Sequence, residues 1–304
     1  MVVELAVGGR GGRFPFSNCL LVKGVHGWVL VDAGCGRGVL ERLGGRVDYV
    51  LFTHLHPDHF SGFTYVGGRF LVPAVDASYS SLLGLAARYA PGAVGVWLDY
   101  VWRVFRLDSV PPAWRVFDAW ESIRVGGVEF EAVPARGHTW GHTLLLVGGH
   151  VHLSDVDLTG FGPWYGHPES SLEGFIADMR LARELVENAS TVTTSHREKV
   201  FSPREALVEL ERYTSRLCGQ LERVATAASD EPVRPGDLVG RGLIYRRYLP
   251  GMERIMAYFE RVMVEKILYY LASQGAAALD GRGYRVYPER LERLCGRLRD
   301  TILS

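Results

Sequence analysis

The run Thr53-His54-Leu55-His56-Pro57-Asp58-His59 constrains this chain more than any other feature. It follows Val47 to Thr53, an apolar segment broken only by Asp48, which reads as a strand buried on both faces. In extended chain, residues two apart point the same way, so His54 and His56 can grip one ion together. The turn that follows swings Asp58 and His59 elsewhere, which suits a second ion a few ångströms away. Imidazole and carboxylate are suitable ligands for zinc, with iron or manganese as alternatives. Such a site needs further ligands from other loops, so the fold must bring distant strand ends to this run.

Acid and imidazole groups do recur at later strand ends. Gly137-His138-Thr-Trp-Gly-His142 is one group, Ser154-Asp155-Val-Asp157 a second and Thr194-Ser195-His196 a third. Singly each is weak, because a lone strand-end His is usually a hydrogen-bonded surface or core residue. Beside the His54–His59 run they become persuasive. His26, His150, His152 and His167 are assigned ordinary solvent or packing roles.

Around these groups the first 75 residues read as short strands separated by glycine, with a helical turn or two at Val39 to Leu43. Residues 78–108 are more helical and end at Pro111-Pro112. Strand patterning returns at 123–125, 128–133, 143–147 and 151–154, followed by a helix over about 171–188 and a final strand at Thr191 to Ser195. Ser202 before Pro203 reads as an N-cap with proline at the first helical position. From there the texture is helical: 204–228, a turn-rich break at 230–236, 251–274, a hairpin at 279–287 and a last helix. Two domains follow, 1–202 and 203–304, the second mainly helical and weakly winged-helix-like.

In order, Val31-Asp32-Ala33-Gly34, His54-x-His56-x-Asp58-His59, Gly137-His138-Thr139, Asp155 and His196 resemble the motifs of the metallo-β-lactamase-fold hydrolase superfamily, over roughly residues 1–200. The resemblance implies an α+β fold, an αββα sandwich with a two-metal centre on one edge. Carried over by position, His54, His56 and His138 would hold the first metal, and Asp58, His59 and His196 the second. Asp155 would bridge, with Asp157 as a competing candidate. Asp32 and His142 would support ligands without being ligands. Two departures stand out: Ala135-Arg136-Gly137 precedes His138, so the usual proline is lost while the glycine is kept, and Ser154 rather than glycine precedes Asp155. His56, where flavodiiron-type members have Glu, argues against redox chemistry of that kind.

The implied cofactors are two divalent ions, zinc first, with iron or manganese as alternatives. Two cations sharing a water depress its pKa towards about 7, so a bridging hydroxide can attack a carbonyl or phosphorus. Asp58 would orient that nucleophile as well as ligate. Trp140, Trp164 and Tyr165 are candidate walls of a substrate pocket, with packing of the ligand loops as the alternative. Arg241, Arg246 and Arg247 cluster in the second domain, either as a solvated face or as phosphate contacts. The expected function is hydrolysis of an ester, thioester or lactone-type small molecule, as in glyoxalase-II-like members. A phosphodiesterase or endoribonuclease acting on single-stranded RNA is the alternative. A mononuclear iron persulfide dioxygenase, or a metal-binding module without turnover, is the third reading. The basic motif by which glyoxalase II contacts glutathione is not recognisable.

Composition narrows the partners. Lys plus Arg equals Asp plus Glu at 34 each, which excludes a globally basic nucleic-acid coat. No apolar run approaches the roughly 18 residues of a membrane span, and the N-terminus lacks a secretory layout, so a cytoplasmic protein without a membrane partner is expected. Cys19, Cys35, Cys218 and Cys295 are scattered, which implies neither a disulfide framework nor a zinc ribbon.

Overall fold

A continuous apolar strand such as Val47 to Thr53 is stable only inside a sheet covered on both faces, and the computed structural model provides that setting. It describes residues 2–229 and 231–303; Asp230, where the turn-rich break was expected to begin, lies outside them. The first half runs β1 (Val2–Ala6), β2 (Cys19–Gly24), β3 (Gly27–Val31), α1 (Arg37–Gly44), β4 (Tyr49–Leu51), α2 (Pro57–Phe60), β5 (Arg69–Pro73), α3 (Ala74–Ala77), α4 (Leu82–Tyr89), α5 (Val94–Phe105) and β6 (Ala113–Phe117). These strands form one sheet in sequence order, antiparallel through β1–β3 and parallel from β3 to β6.

The second sheet comprises β7 (Ser122–Val125), β8 (Val128–Pro134), β9 (Thr143–Val147) and β10 (His150–His152), with α6 (Leu172–Glu187) crossing over to β11 (Thr191–Thr193). Its order is β11-β10-β9-β8-β7, antiparallel except for the β10–β11 pair. The two sheets face each other across Leu20, Val29, Leu51, Phe130, Ala132 and Leu145. Helices α1, α4 and α5 cover the outer face of the first sheet, and α6 covers that of the second. The expected αββα sandwich is what the chain forms. Strand β6 has no counterpart among the strands expected from sequence: it is an edge strand with only Phe117 buried, so it lacks the apolar pattern that marks its neighbours.

The rest of the chain is α7 (Pro203–Ala227), α8 (Glu253–Ser273), the hairpin β12 (Ala277–Asp280) and β13 (Gly283–Val286), and α9 (Leu291–Leu303). Helix α7 starts where the sequence placed a boundary: Ser202 Oγ accepts from Glu205 N at 3.3 Å, and the Glu205 carboxylate accepts from Ser202 N at 2.9 Å. The boundary is not a break in packing. Leu210, Leu217 and Val224 of α7, Ile267 and Leu271 of α8 and Leu298 of α9 share one core with Met179 of α6 and Val192 of β11. Ile255, Met256 and Phe259 of α8 also join the core beneath α4 and α5, so α8 braces both helical layers. Among the described residues, no helix is long and apolar enough to cross a membrane.

Candidate metal centre

Five loops leave the carboxyl ends of strands β3, β4, β8, β10 and β11 and carry, respectively, Asp32, His54 to His59, His138, Asp155 and His196. They meet on one edge of the sandwich, so His59 and His196 become neighbours, with ring centroids 5.5 Å apart. The ligand-type atoms fall into two sets, His54, His56, His138 and Asp155 in one, and Asp58, His59 and His196 in the other, each within 4.8 Å. Asp155 faces both: its Oδ2 lies 3.0 Å from His138 Nε2, and its Oδ1 lies 3.1 Å from His59 Nε2 and 3.5 Å from His196 Nε2. His56 Nδ1 and His138 Nε2 approach to 2.9 Å.

The backs of these rings are fixed. His138 Nδ1 lies 3.0 Å from the Trp164 carbonyl oxygen, and His196 Nδ1 lies 2.7 Å from that of Gly12. A carbonyl only accepts, so in both rings Nδ1 donates outward and Nε2 is turned to the cluster. His59 Nδ1 pairs with Asp32 Oδ2 at 2.9 Å, and His54 Nδ1 meets Thr53 Oγ1 at 3.1 Å. Asp32 also accepts from Thr53 N at 2.8 Å and Thr53 Oγ1 at 2.9 Å, which ties the ligand run to the end of β3. Asp32 and Ser154 both hold left-handed backbone, φ 60° and 47°, at the rim of the cluster. A Cβ at Gly34 would lie 1.6 Å from the Asp58 carbonyl oxygen, so the approach of the two loops requires glycine there.

His54 Nε2, His56 Nε2, His59 Nε2 and Asp155 Oδ1 are buried with no hydrogen-bond partner. Buried polar atoms are rarely left so. Three imidazole nitrogens and a carboxylate oxygen aimed at common points are what a divalent cation takes, so the residues fit a metal. Burial, then neighbouring imidazoles, holds His54 and His56 well below the ordinary histidine pKa, which keeps their lone pairs free. Burial opposes charge on His196 too, but Asp155 and Asp58 outweigh it and raise its pKa to about 9. Asp155 is pulled the other way: burial favours its neutral form, yet His59, His138 and His196 hold it well below the usual carboxylate range.

His142 supports rather than faces the cluster. Its Nδ1 lies 2.7 Å from the Ala135 carbonyl oxygen, and its Nε2 accepts from Asp155 N at 3.1 Å, so both nitrogens are used. Asp157 turns away: it accepts from Thr159 N at 3.0 Å and Thr159 Oγ1 at 3.2 Å, and it belongs to neither ligand set.

The cluster opens into a cavity of about 1020 Å³. Trp164 lines it, with its ring 5.8 Å from that of His56. The other two candidate wall residues do not. Trp140 is half exposed and lies over Arg88, outside the lining. Tyr165 is wholly buried, and its hydroxyl donates to Gln220 Oε1 at 3.0 Å on α7. In a Trp-Tyr pair of an extended loop, successive side chains point to opposite sides, and only Trp164 faces inward. The Arg cluster divides likewise: Arg246 and Arg247 line the cavity, whereas Arg241 does not.

Sequence reasoning missed two features. His167 is a lining residue, with its ring 4.7 Å from that of His56 and its Nδ1 2.9 Å from the Tyr89 carbonyl oxygen. Behind the ligand loop, Asp76 Oδ2 accepts from Leu55 N at 2.8 Å, Arg88 Nη1 donates to Asp76 Oδ1 at 2.6 Å, and Arg88 forks onto Glu169, which also receives Trp140 N at 3.2 Å. These three buried charges come from three elements and leave no local pattern in the sequence.

The family model described as the metallo-beta-lactamase superfamily matches residues 12–160. The chain is 32% identical over 117 residues to a hydroxyacylglutathione hydrolase of Acidiphilium cryptum (strain JF-5), a match covering 38% of this chain and 37% of that protein. It is 27% identical over 139 residues to the hydroxyacylglutathione hydrolase of Aeromonas hydrophila, covering 45% of this chain and 44% of the relative. The chain thus spans less than half the length of these curated relatives. In fold it is similar to a metallo-beta-lactamase family protein from Thermus thermophilus, with TM-score 0.69, 20% identity, and coverage of 94% of this chain and 98% of that one. It is also similar to a beta-lactamase domain protein from Burkholderia ambifaria, with TM-score 0.65, 20% identity, and coverage of 93% and 92%. Both likenesses extend through the C-terminal helices, and at that identity they speak for the fold alone. With the ligand motifs in order on the sandwich edge, residues 12–160 of this chain are a domain of the metallo-β-lactamase superfamily.

Proposed function

We propose that the protein is a hydrolase that holds two divalent cations, zinc in first place, and cleaves an ester, thioester or lactone-type small molecule. The observation that carries this reading is the set of buried, unpartnered His54, His56 and His59 nitrogens and the Asp155 oxygen, faced by imidazoles whose outer nitrogens are already engaged. His54, His56 and His138 would hold one ion, Asp58, His59 and His196 the other, with Asp155 between them. Bound there, such ions supply a water that ionises near pH 7 and polarise the substrate oxygen. Asp58 lines the cavity, and its carboxylate can accept a proton of the attacking water and aim it at the substrate. Asp32 and the Trp164 and Gly12 carbonyls keep His59, His138 and His196 from rotating, so no reorganisation is needed during the reaction. Trp164, His167 and Phe259 pack together as the inner wall of the cavity.

The relatives named hydroxyacylglutathione hydrolase support chemistry at an acyl carbon. The two adjacent ligand sets favour two ions over the single iron of a dioxygenase. Phosphodiester cleavage is the second reading, favoured by the arginines on the cavity wall. Protein loaded with zinc, and separately with manganese or iron, should hydrolyse thioesters and aryl esters in preference to bis-p-nitrophenyl phosphate. His56→Ala should lower turnover at least a thousandfold. Turnover by His56→Ala equal to that of the parent protein would refute the metal-dependent reading.

A further inference from the structure

The cavity is chemically divided. The carboxylates Asp58 and Asp155 lie with the histidines, Arg13 and Arg197 adjoin Gly12 and His196, and Arg216, Arg223, Arg246 and Arg247 line the part contributed by the C-terminal segment. Arg197 is already engaged, donating to the Leu158 carbonyl oxygen at 2.6 Å and to Glu209 Oε2 at 3.1 Å. Arg216, Arg223 and Arg246 have no carboxylate within ion-pair distance among the described residues. Arg216 and Arg223 are seven residues apart on α7, two turns along one face. Arg223 Nε donates to the Leu243 carbonyl oxygen at 2.6 Å, which ties the helix to the loop carrying Arg246. Partial burial, with Arg246 and Arg216 beside it, lowers the Arg223 pKa below its ordinary value, against the opposing pull of Tyr165 and Glu222. All three guanidinium groups are exposed at the cavity and none is in an ion pair among the described residues, so they are open to an anion brought by a ligand.

A path of aromatic groups joins this patch to the histidines. The Trp164 ring packs 5.8 Å from His56, its Nε1 donates to Tyr245 Oη at 2.6 Å, and Tyr245 stacks on Phe161 at 5.6 Å. Tyr245 precedes Arg246, and the backbone at Gly162 rests against Arg216, whose Cβ would be 2.8 Å from a Cβ at Gly162. Gln220 of α7 pins the same loop by donating to the Phe161 and Pro163 carbonyl oxygens at 3.3 and 3.2 Å. The wall is therefore fixed by the C-terminal helices rather than free to collapse over the arginines.

We propose that Arg216, Arg223 and Arg246 form an anion subsite that takes a phosphate group of the substrate, so that the molecule cleaved at the histidine cluster is a phosphorylated ester or thioester. This rests on the hydrolase reading above for the cleavage step but not for the binding step. Guanidinium groups match phosphate oxygens in paired hydrogen bonds, and a phosphate monoester carries roughly −1.5 to −2 charge at pH 7, closer than a carboxylate to what three arginines call for. The same phosphate chemistry could come from a polynucleotide backbone, which the test separates.

The full chain, stripped of metal by chelation so that no cation can bind phosphate, is titrated calorimetrically with 4′-phosphopantetheine and with pantetheine, which differ only in the phosphate. We expect the phosphorylated compound to bind at least tenfold more tightly at low salt, with the difference shrinking as NaCl rises. In R216Q/R223Q/R246Q that ratio should fall towards one, while R216K/R223K/R246K should restore part of it; circular dichroism checks that both variants remain folded. Equal affinity for the two compounds, or a ratio unchanged in the glutamine variant, would overturn the subsite. The metal-loaded protein is then assayed on the S-acetyl forms of both. A kcat/KM advantage for the phosphorylated thioester, expressed in KM, supports the proposal. Tight phosphate binding with neither thioester cleaved would sink the hydrolase reading and leave the subsite standing. Displacement of phosphopantetheine by a single-stranded RNA oligonucleotide, with the RNA cleaved faster than either thioester, would overturn the small-molecule substrate.

Discussion

The Asp32 side chain lies behind the ligand run, in contact with both Thr53 and His59. One carboxylate receives Thr53 N, Thr53 Oγ1 and His59 Nδ1, so it fixes both the start of the ligand run and the orientation of one of its rings. Losing that support should not unfold the protein, since the Asn amide oxygen can keep the contact from Thr53 N. It should loosen His59, and Asp32→Asn is expected to lower metal affinity about 10–100-fold. Competition against a chromogenic chelator measures this; unchanged affinity would show that His59 is held by something else. The motif residues were legible because metal chemistry limits which side chains can stand at such spacings. His167, Asp76, Arg88 and Glu169 were not, because each takes its meaning from a neighbour 12 to 111 positions away, as the Arg88–Asp76 pair and the His56–His167 packing illustrate.

At the scale of elements, the β10–β11 pair carries a pH dependence of its own. His150 Nδ1 and Nε2 meet Thr191 Oγ1 and Thr193 Oγ1 at 2.8 Å each, and burial lowers the pKa of this ring to about 4. The folded value is thus depressed below the ordinary one near 6.5, so the unfolded chain binds the extra proton first. Stability is complete above pH 6.5 and is lost as pH falls towards 4, by about 2 kcal/mol between pH 7 and pH 5 from this group. Urea unfolding of metal-free protein at both pH values should show that loss, and His150→Gln should shrink it by a comparable amount. An identical slope in the variant would remove His150 from the account. Elements with strong period or capping signals, such as α6 and α7, lie close to where the sequence placed them. Strand β6 escaped because an exposed edge needs no apolar alternation, and Trp140 and Tyr165 because a loop's facing is set by what packs on it.

For the whole molecule, the C-terminal helices do more than extend the sandwich. Lys266 of α8 donates to the Tyr165 carbonyl oxygen at 3.2 Å, to the His167 carbonyl oxygen, and to Ser170 Oγ at 2.6 Å, clamping the loop that carries the inner cavity wall. Sequence texture marked residue 202 as a boundary, and the helix does begin there, but the core runs across it. Composition reports where the pattern changes; which surfaces then bury one another depends on contacts between segments far apart in the chain. The most direct test of the central claim is the metal content of the full chain after loading with zinc and desalting, read by plasma mass spectrometry beside an Asp155→Asn variant. Two ions per chain are expected in the parent protein and fewer than one in the variant. A parent protein that retains none, or a variant that retains both, would contradict it.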